Sequence, residues 1–244
     1  MKAIILAAGY ATRLYPLTIN RPKALLPING KPIIEYILDE IHTIPDIDET
    51  FVVSNQKFYE HFEAWANTLK HTKPVRILND GTATEEDRRG AIGDIAFVLE
   101  TCHVQDDIMV IAGDNFFTYR LKDCYDFYRK LGKDCVCAKP LPDVEELRRM
   151  AVATLAPDGR VIELHEKPEN PQSNIAVYAT YIYRADTLPL FFEYLAEGNK
   201  KDAPGYFVQW LYTRKDVYAY QFEGECYDIG TPKSYEEVQV LFQK

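Results

Sequence analysis

Met-Lys-Ala-Ile-Ile-Leu-Ala-Ala-Gly-Tyr-Ala-Thr-Arg, residues 1–13, is the stretch from which the fold can be inferred. Its run Ala3-Ile-Ile-Leu-Ala7 is short and apolar and ends at Gly9, which is typical of a buried strand. We therefore predict a strand from Met1 to Ala7. The polar segment after it would lie at the carboxyl end of that strand, where ligands of open α/β sheets bind.

Helices and strands alternate along the next part of the chain. Apolar runs predict strands at Thr50–Ser54, Val75–Leu78, Asp107–Ala112 and Asp134–Lys139. Helical periodicity predicts helices at Lys31–Ile44, Phe58–Leu69, Gly90–Glu100 and Lys122–Leu131. Such alternation indicates an α/β fold, with a doubly wound, mostly parallel, Rossmann-like mixed sheet flanked by helices.

The second half of the chain has a different pattern. Pro157-Asp-Gly159 is a turn signal that predicts a hairpin of Ala151–Leu155 and Arg160–Leu164. Further elements are predicted at Ile175–Tyr183, Leu188–Ala196, Gly205–Thr213, Val217–Gln221 and Ser234–Phe242. No repeat or linker is visible, so we predict one domain over 1–244. Its halves would be about 1–140 and, with a small antiparallel part, about 141–244.

Composition excludes several protein classes. The 244 residues are 47% hydrophobic and 27% charged, as in ordinary globular proteins. No run approaches the roughly 20 apolar residues of a membrane span, so no membrane association is expected. A net charge of −9 disfavours nucleic-acid binding. The five cysteines, an odd number, disfavour a disulfide framework; we expect Cys135 and Cys137 to be core residues and the protein to be cytoplasmic.

The first 34 residues are basic in an otherwise acidic chain. They contain Lys2, Arg13, Arg21, Lys23 and Lys31 and no Asp or Glu. Guanidinium and ammonium groups bind phosphate oxygens, so Arg13 and Lys23 on this proline-stiffened segment indicate a phosphate site. The loop matches neither the dinucleotide fingerprint nor the P-loop.

Two carboxylates follow predicted strands or precede a glycine turn. Gly113 and Asp114 directly follow the predicted strand Asp107–Ala112, and Asp228 comes two residues before Gly230. Mg²⁺ takes few protein carboxylates and shares its other positions between water and phosphate oxygens, which suits such a pair. Spacing alone equally allows two turn-capping aspartates.

Several stretches together resemble the motifs of the sugar-phosphate nucleotidyltransferases. In chain order they are Leu6-Ala-Ala-Gly-Tyr-Ala-Thr-Arg-Leu-Tyr-Pro-Leu-Thr18, Arg21-Pro-Lys-Ala-Leu-Leu-Pro27, Lys31-Pro-Ile-Ile-Glu-Tyr36, Gly113-Asp-Asn115, Glu166-Lys-Pro168 and Asp228-Ile-Gly-Thr231. The resemblance covers nearly the whole chain, and the first motif is the most specific.

The resemblance implies a reaction in which a nucleoside triphosphate and a phosphorylated acceptor give an NDP-linked product and pyrophosphate. Arg13 would hold the departing pyrophosphate, and Lys23 the phosphates near the α-phosphorus. Asp114 and Asp228 would hold Mg²⁺. On the acceptor, Lys167 would neutralise the phosphate and Glu166 would accept hydrogen bonds from hydroxyls. The nucleotide-binding residues implied are Leu6, Ala8, Gly9, Asn79, Gly81, Gly90 and Asp114.

The chain departs from the family pattern near the expected acceptor pocket. Ala151 and Ala179 stand where glycines are usual, and Tyr178 replaces a threonine. The added bulk predicts a smaller pocket with these three residues in its wall, unless a backbone shift absorbs it. The second glycine of the first motif is also replaced, by Ala11.

Three functions remain open at this point. The first is a hexose-1-phosphate nucleotidyltransferase, and the second a CTP-dependent cytidylyltransferase for a small phospho-alcohol such as phosphocholine. The third is an inactive nucleotide-sensing domain, which the joint presence of Arg13, Lys23, Asp114 and Asp228 argues against. The nucleotide partner is expected to be CTP, dTTP or UTP, and family analogy allows a homodimer.

Overall fold

A computed structural model of the protein describes residues 1–70 and 73–243. The helices within these ranges are α1 (Ile33–His42), α2 (Tyr59–Ala66), α3 (Ala91–Thr101), α4 (Leu121–Leu131), α5 (Val144–Leu147), α6 (Leu188–Ala196), α7 (Pro204–Leu211) and α8 (Pro232–Leu241). The strands are β1 (Lys2–Leu6), β2 (Pro27–Ile28), β3 (Lys31–Pro32), β4 (Glu49–Ser54), β5 (Val75–Asn79), β6 (Ile108–Ala112), β7 (Asn115–Phe117), β8 (Asp134–Pro140), β9 (Ala151–Leu155), β10 (Val161–Glu166), β11 (Ile175–Tyr183), β12 (Val217–Gln221) and β13 (Cys226–Asp228).

The strands form a mixed sheet flanked by helices, with two small antiparallel sheets, so the predicted fold class is confirmed. The chain forms two compact units. The first contains Met1–Arg88, Ile111–Leu121 and Gly224–Lys244, and the second Arg89–Val110 and Lys122–Glu223. The single domain and its two halves, predicted from sequence, remain a proposal.

Parallel strands form the centre of the first unit. β4 pairs with β1 on one side and β5 on the other, with Leu6 opposite Val53 and Ser54 opposite Asn79. The apolar residues of the three strands are buried, except Leu6 and Val75, which are partly buried. Because the three strands run in one direction, the loops after Leu6, Ser54 and Asn79 leave the sheet at the same edge.

The first helix begins two residues later than predicted. Pro32 has an extended backbone, with φ −53° and ψ 141°, and α1 starts at Ile33. Lys31 and Pro32 instead pair with Ile28 and Pro27 as the antiparallel strands β3 and β2. Asn29 and Gly30 connect the two strands with φ of +49° and +78°, and Asn and Gly are the residues that adopt positive φ most readily.

The second unit contains the predicted antiparallel part. β9 and β10 form the predicted hairpin, and β11 pairs antiparallel with both β9 and β8. β12 runs parallel to β8. Cys135 and Cys137 on β8 are fully buried, as expected for core thiols.

A small apolar cluster, here called the α8 cluster, joins the late part of the first unit to its early part. Its buried members are Leu14, Leu26, Ile28, Ile33, Phe116, Ile229 and Val238. The helix α8 that supplies Val238 begins with a capping box between Thr231 and Ser234. Side-chain capping of the free N–H groups stabilises such a helix start by about 1 kcal/mol.

None of the helices in the two described ranges is long and apolar enough to cross a membrane. The cytoplasmic location remains a prediction.

Candidate active site

The pairing of β7 with β13 brings Asp114 and Asp228 into one part of the first unit. Asp114 immediately precedes β7, and Asp228, the last residue of β13, is opposite Asn115. The two carboxylates are 48% and 78% exposed. Short strands paired over a long sequence separation leave no local pattern, and neither β7 nor β13 was predicted.

The Lys23 ammonium lies next to both carboxylates. Its Nζ is 3.0 Å from Asp114 Oδ2 and 3.8 Å from Asp228 Oδ1. The Lys23 side chain is only 8% exposed, so the charge is held by packing rather than moving freely in solvent. Pro22, with φ −65°, starts the short 3₁₀ turn Lys23–Leu25 that directs this side chain inward.

Arg13 reaches the same region from the first loop. It lies in the 3₁₀ turn Thr12–Leu14, which follows Ala11 with φ +49° and ψ 44°. A Cβ on Gly230 would lie 3.6 Å from Arg13 Nη2 and 3.2 Å from Asp228 Oδ2, so the glycine leaves room for both groups. The structure thus gathers Arg13, Lys23, Asp114 and Asp228 in one region of the first unit, and their roles in catalysis and metal binding stay predictions.

The left-handed backbone of Ala11 explains why glycine is usual at this position in the family pattern. This conformation costs a non-glycine residue about 1–2 kcal/mol of free energy. A hydrogen bond from Thr18 Oγ1 to the Ala11 carbonyl, 2.8 Å long, stabilises the turn in this chain.

The second candidate cluster is in the second unit and centres on Glu166. This residue ends β10 opposite Ala151, and its side chain is 6% exposed. The nearest cation is Lys167, whose Nζ is 3.9 Å from Glu166 Oε1. Burial raises the pKa of Glu166 to about 7, an effect that Lys167 opposes and Asp202 reinforces. A buried carboxyl group with a raised pKa and one cation beside it is suited to receive a ligand hydroxyl.

Helix α7 positions Glu166 through two residues on one helix face. Gln209 Oε1 accepts a hydrogen bond of 2.9 Å from the Glu166 backbone N–H. A Cβ on Gly205, one turn earlier, would lie 1.8 Å from Glu166 Oε2 and 2.9 Å from the Ala151 Cβ. The carboxylate therefore occupies space that any other residue at position 205 would fill. Gly205 and Gln209 were not predicted, because their roles depend on packing between distant segments.

Lys167 and Ala151, two more of the predicted acceptor-binding residues, lie next to Glu166. Lys167 has a positive φ of 51°, and its N–H donates to the Met150 carbonyl over 2.9 Å. Ala151 is 3% exposed and pairs with Val177 as well as Glu166. Alanine at position 151 thus places a methyl group next to the Glu166 carboxylate, where a glycine would leave space.

The structure does not bring Tyr178 to this cluster. Val177, the residue before it, pairs with Ala151, so Tyr178 points to the opposite face of β11. There its ring packs edge-on against Phe222, with 5.1 Å between centroids. Ala179 lies in the stretch where the register of β11 against β8 shifts. A role of Tyr178 and Ala179 in acceptor binding stays a prediction.

The predicted nucleotide-binding residues of the first unit lie at the carboxyl ends of β1 and β5. Leu6 ends β1, and Ala8 and Gly9 follow it; Asn79 ends β5, and Gly81 follows with φ +81°. Gly90 belongs to the second unit, where it precedes α3 with φ +79°. A Cβ on Gly90 would lie 2.6 Å from the Lys201 carbonyl oxygen, so packing against that backbone requires glycine there.

A family model described as nucleotidyl transferase matches residues 2–244. The chain belongs to the nucleotidyl transferase family. The resemblance inferred from the sequence motifs is therefore confirmed.

Relatives within this nucleotidyl transferase family are moderately similar. The chain is 30% identical over 98% of its length to a putative mannose-1-phosphate guanyltransferase of Sulfolobus acidocaldarius, and covers 62% of that protein. It is 29% identical to the bifunctional protein GlmU of Methanocaldococcus jannaschii, of which it covers 52%. It thus spans between half and two thirds of these two relatives. A third, the UTP–glucose-1-phosphate uridylyltransferase AglF of Haloferax volcanii, is 25% identical and 97% covered.

Solved structures show the same nucleotidyl transferase fold. A UDP-glucose pyrophosphorylase without ligand superposes with a TM-score of 0.83 at 22% identity, covering 99% of this chain and 97% of the other. The pyrophosphorylase structure complexed with UDP-glucose gives the same TM-score at 23% identity.

The donor set of the first cluster fits a magnesium ion. Among residues 1–70 and 73–243 no group of three or more His, Cys, Asp or Glu side chains forms a closed metal site. Asp114 and Asp228 form a pair of solvent-exposed carboxylates. The positively charged Lys23 ammonium already lies beside them, 3.0 Å from an Asp114 oxygen and 3.8 Å from an Asp228 oxygen. Two exposed carboxylates that attract a cation and leave room for phosphate oxygens match the preference of Mg²⁺.

Proposed function

We propose that the chain is an Mg²⁺-dependent sugar-1-phosphate nucleotidyltransferase. It would join a nucleoside triphosphate to a hexose-1-phosphate, giving an NDP-sugar and pyrophosphate. The convergence of Arg13, Lys23, Asp114 and Asp228 in the first unit carries this proposal, since two cations and two open carboxylates suit a metal-bound triphosphate. The names of the mannose-1-phosphate and glucose-1-phosphate relatives support the sugar phosphate.

In this reaction an oxygen of the acceptor phosphate attacks the α-phosphorus. A new phosphorus–oxygen bond forms, the bond from the α-phosphorus to the oxygen bridging to the β-phosphate breaks, and pyrophosphate leaves. Lys23 neutralises charge near the α-phosphate, and Arg13 binds the departing pyrophosphate. Asp114 and Asp228 would hold Mg²⁺, which would supply further neutralisation of the triphosphate charge when bound. No covalent enzyme intermediate is involved.

Glu166 and Lys167 would bind the acceptor in the second unit. The Lys167 ammonium is 47% exposed and neutralises the acceptor phosphate, while Glu166 accepts a hydrogen bond from a sugar hydroxyl. Burial has already removed most water from the Glu166 carboxylate, so a ligand hydroxyl replaces little hydration when it binds. The halves at about 1–140 and 141–244 would correspond to nucleotide and acceptor binding within one domain.

The test is pyrophosphate release with Mg²⁺ and each of UTP, dTTP, CTP, GTP and ATP. Each nucleotide is paired with glucose-1-phosphate, mannose-1-phosphate, N-acetylglucosamine-1-phosphate and phosphocholine. We expect release with a sugar-1-phosphate and none with phosphocholine. Release with CTP and phosphocholine alone would replace the proposal with the cytidylyltransferase. A folded protein that binds nucleotide but releases no pyrophosphate would favour the sensing domain.

A further inference from the structure

Three loops of the first unit form a fixed cradle at the carboxyl ends of β1, β4 and β5. Asn55 Nδ2 donates to the Ala8 carbonyl over 2.8 Å, which ties the loop after β4 to the loop after β1. The Gln56 N–H and the Tyr10 hydroxyl both donate to the Thr82 carbonyl, over 2.9 and 3.3 Å. The loop after β5 is thereby tied to the other two, so the cradle is built before any ligand binds.

Open space lies over the backbone of this cradle. A Cβ added to Gly9 or to Gly81 would meet no heavy atom within 4 Å. Bare backbone with space above it, at the carboxyl edge of adjacent parallel strands, is suited to the flat surface of a nucleobase. The cradle belongs to the same unit as Arg13 and Lys23, to which the proposed function assigns the phosphates.

Hydrogen bonds fix the orientation of the two amide side chains in the cradle. The Gly81 backbone N–H can only donate, and it donates to Asn79 Oδ1 over 2.9 Å. Asn79 must therefore present Nδ2 to its other neighbour, Gln56, whose Oε1 accepts over 2.7 Å. Gln56 is thus left with Nε2 directed away from Asn79.

The exposed Gln56 Nε2 has no acceptor within the described part of the chain. An amide nitrogen of this kind offers hydrogen-bond donors and no acceptor. It complements a carbonyl oxygen on a base and opposes an amino group, whose hydrogens would face its own. Uracil, thymine and guanine carry a carbonyl where cytosine and adenine carry an amino group.

We propose that Gln56, oriented by Asn79, selects nucleoside triphosphates whose base carries this carbonyl, so that UTP binds in preference to CTP. The inference rests on the proposed function and names the base class that its nucleotide site takes. A single neutral hydrogen bond, replaced by two opposed donors in the wrong base, gives a UTP preference of about tenfold.

The test measures the dissociation constants of UTP and CTP by titration calorimetry with Mg²⁺ and without acceptor. In Gln56→Glu the carboxylate keeps the acceptor for Asn79 but offers an acceptor instead of donors to the base. We expect the preference for UTP over CTP to fall about tenfold, to near unity or below. The added negative charge weakens both nucleotides equally, so the ratio reports the base alone.

Gln172→Glu is the matched control. Gln172 is exposed in the second unit and donates only to the Asn170 carbonyl, over 2.9 Å, so the same change there leaves the ratio unchanged. Asn79→Asp is the second variant: it keeps an acceptor for Gly81 but loses the donor that orients Gln56, and the ratio falls. This variant decides the matter if Gln56→Glu does not fold.

Equal affinity of the unchanged protein for UTP and CTP would overturn the inference and leave the proposed function standing. An unchanged ratio in both Gln56→Glu and Asn79→Asp would do the same. Failure to bind any nucleoside triphosphate would overturn both. Sugar-dependent pyrophosphate release separates these cases, because it tests the proposed function without reference to the base.

Discussion

The carboxylates of the two candidate clusters differ in their exposure to solvent. Asp114 and Asp228 in the first unit are exposed and lie beside a buried ammonium, that of Lys23. Glu166 in the second unit is buried, and its cation, Lys167, is the exposed partner at 3.9 Å. The Asp114 and Asp228 carboxylates are open to an incoming cation, whereas burial raises the pKa of the Glu166 carboxyl group to about 7. The first arrangement suits a metal-bound triphosphate and the second a hydroxyl ligand.

The largest expected effect breaks the first arrangement. Asp228→Asn removes one charge of the proposed metal pair, and we expect pyrophosphate release to fall by roughly 10²–10³-fold with an unchanged circular dichroism spectrum. Higher Mg²⁺ should restore part of the rate. Asp126→Asn, which removes a 54% exposed carboxylate paired with Lys122, is the control and retains full activity. Full activity of Asp228→Asn would remove Asp228 from the metal site.

The next effect concerns the charge state of Glu166. The pKa of this carboxyl group is about 7 in the folded protein against 4.5 for an unperturbed glutamate, so the folded state binds more protons between these values. The free energy of unfolding therefore decreases as pH rises from about 4.5 to 7. Glu166→Gln has no carboxyl group at this position, so its free energy of unfolding lacks this decrease. Relative to the unchanged protein, the free energy of unfolding of Glu166→Gln should therefore rise by up to about 3 kcal/mol between pH 4.5 and pH 8.

Denaturant unfolding at pH 5, 6, 7 and 8 measures this gain. Glu163→Gln is the matched control, because Glu163 lies on the same strand but is 45% exposed. Its unfolding free energy should follow that of the unchanged protein to within about 1 kcal/mol at every pH, because the pair that it loses, with His165 Nε2 at 2.8 Å, is exposed. A Glu166→Gln curve parallel to the unchanged one would show that Glu166 is not buried in its charged form.

A smaller effect is expected from Gly205, which packs against Glu166 in the second unit. The methyl group of Gly205→Ala would lie 1.8 Å from Glu166 Oε2, so the carboxylate must move. We expect the acceptor KM to rise about tenfold, with UTP binding unchanged, as for any displacement of a positioned group. In a Glu166→Asp background the shorter side chain avoids the methyl group, which then meets the Ala151 Cβ at 2.9 Å, so the same substitution should raise KM less than it does alone.

Kinetics of pyrophosphate release for the two single variants and the double variant form the cycle that tests this. Additive losses, or an equal loss of nucleotide affinity, would mean that Gly205 acts on the fold as a whole.

The smallest effect returns to the first unit. Ala11→Gly relieves a left-handed backbone with φ +49° but frees the unfolded chain and removes a packed methyl group. These terms nearly cancel, so the free energy of unfolding should change by no more than about 0.5 kcal/mol. Ala64→Gly, at an exposed position inside α2, is the comparison and should cost about 1 kcal/mol. A larger loss in Ala11→Gly would mean that the methyl contact dominates.

Much of the fold follows from local sequence patterns. The strands Ile175–Tyr183 and Val217–Gln221 and the helix Leu188–Ala196 match the predicted limits, because their apolar periodicity and flanking turn residues are both clear. The elements that were missed are two- to four-residue pieces: the hairpin of β2 and β3, the pair of β7 and β13, and helix α5. Their pairing partners, not their own sequences, make them regular.

The site divides in the same way. Arg13, Lys23, Asp114 and Asp228 were predictable because each belongs to a contiguous motif. Gln56, Gly205 and Gln209 were missed, since what each does depends on a neighbour from another part of the chain. A glycine in the first turn of a predicted helix, as at position 205, is the one signal that could have drawn attention in advance. The face of Tyr178 could not be predicted without the register of β11.

The α8 cluster has a consequence for how the protein is made. Three of its members lie within two residues of the first candidate cluster: Leu14 follows Arg13, Phe116 is close to Asp114, and Ile229 follows Asp228. They pack together with Val238 of α8. On the ribosome, a nascent chain that has already formed β1, β4 and β5 still lacks this packing. The phosphate binding proposed for Arg13 and Lys23 would therefore begin only when residues 226–242 have left the exit tunnel, although both cations were synthesised more than two hundred residues earlier.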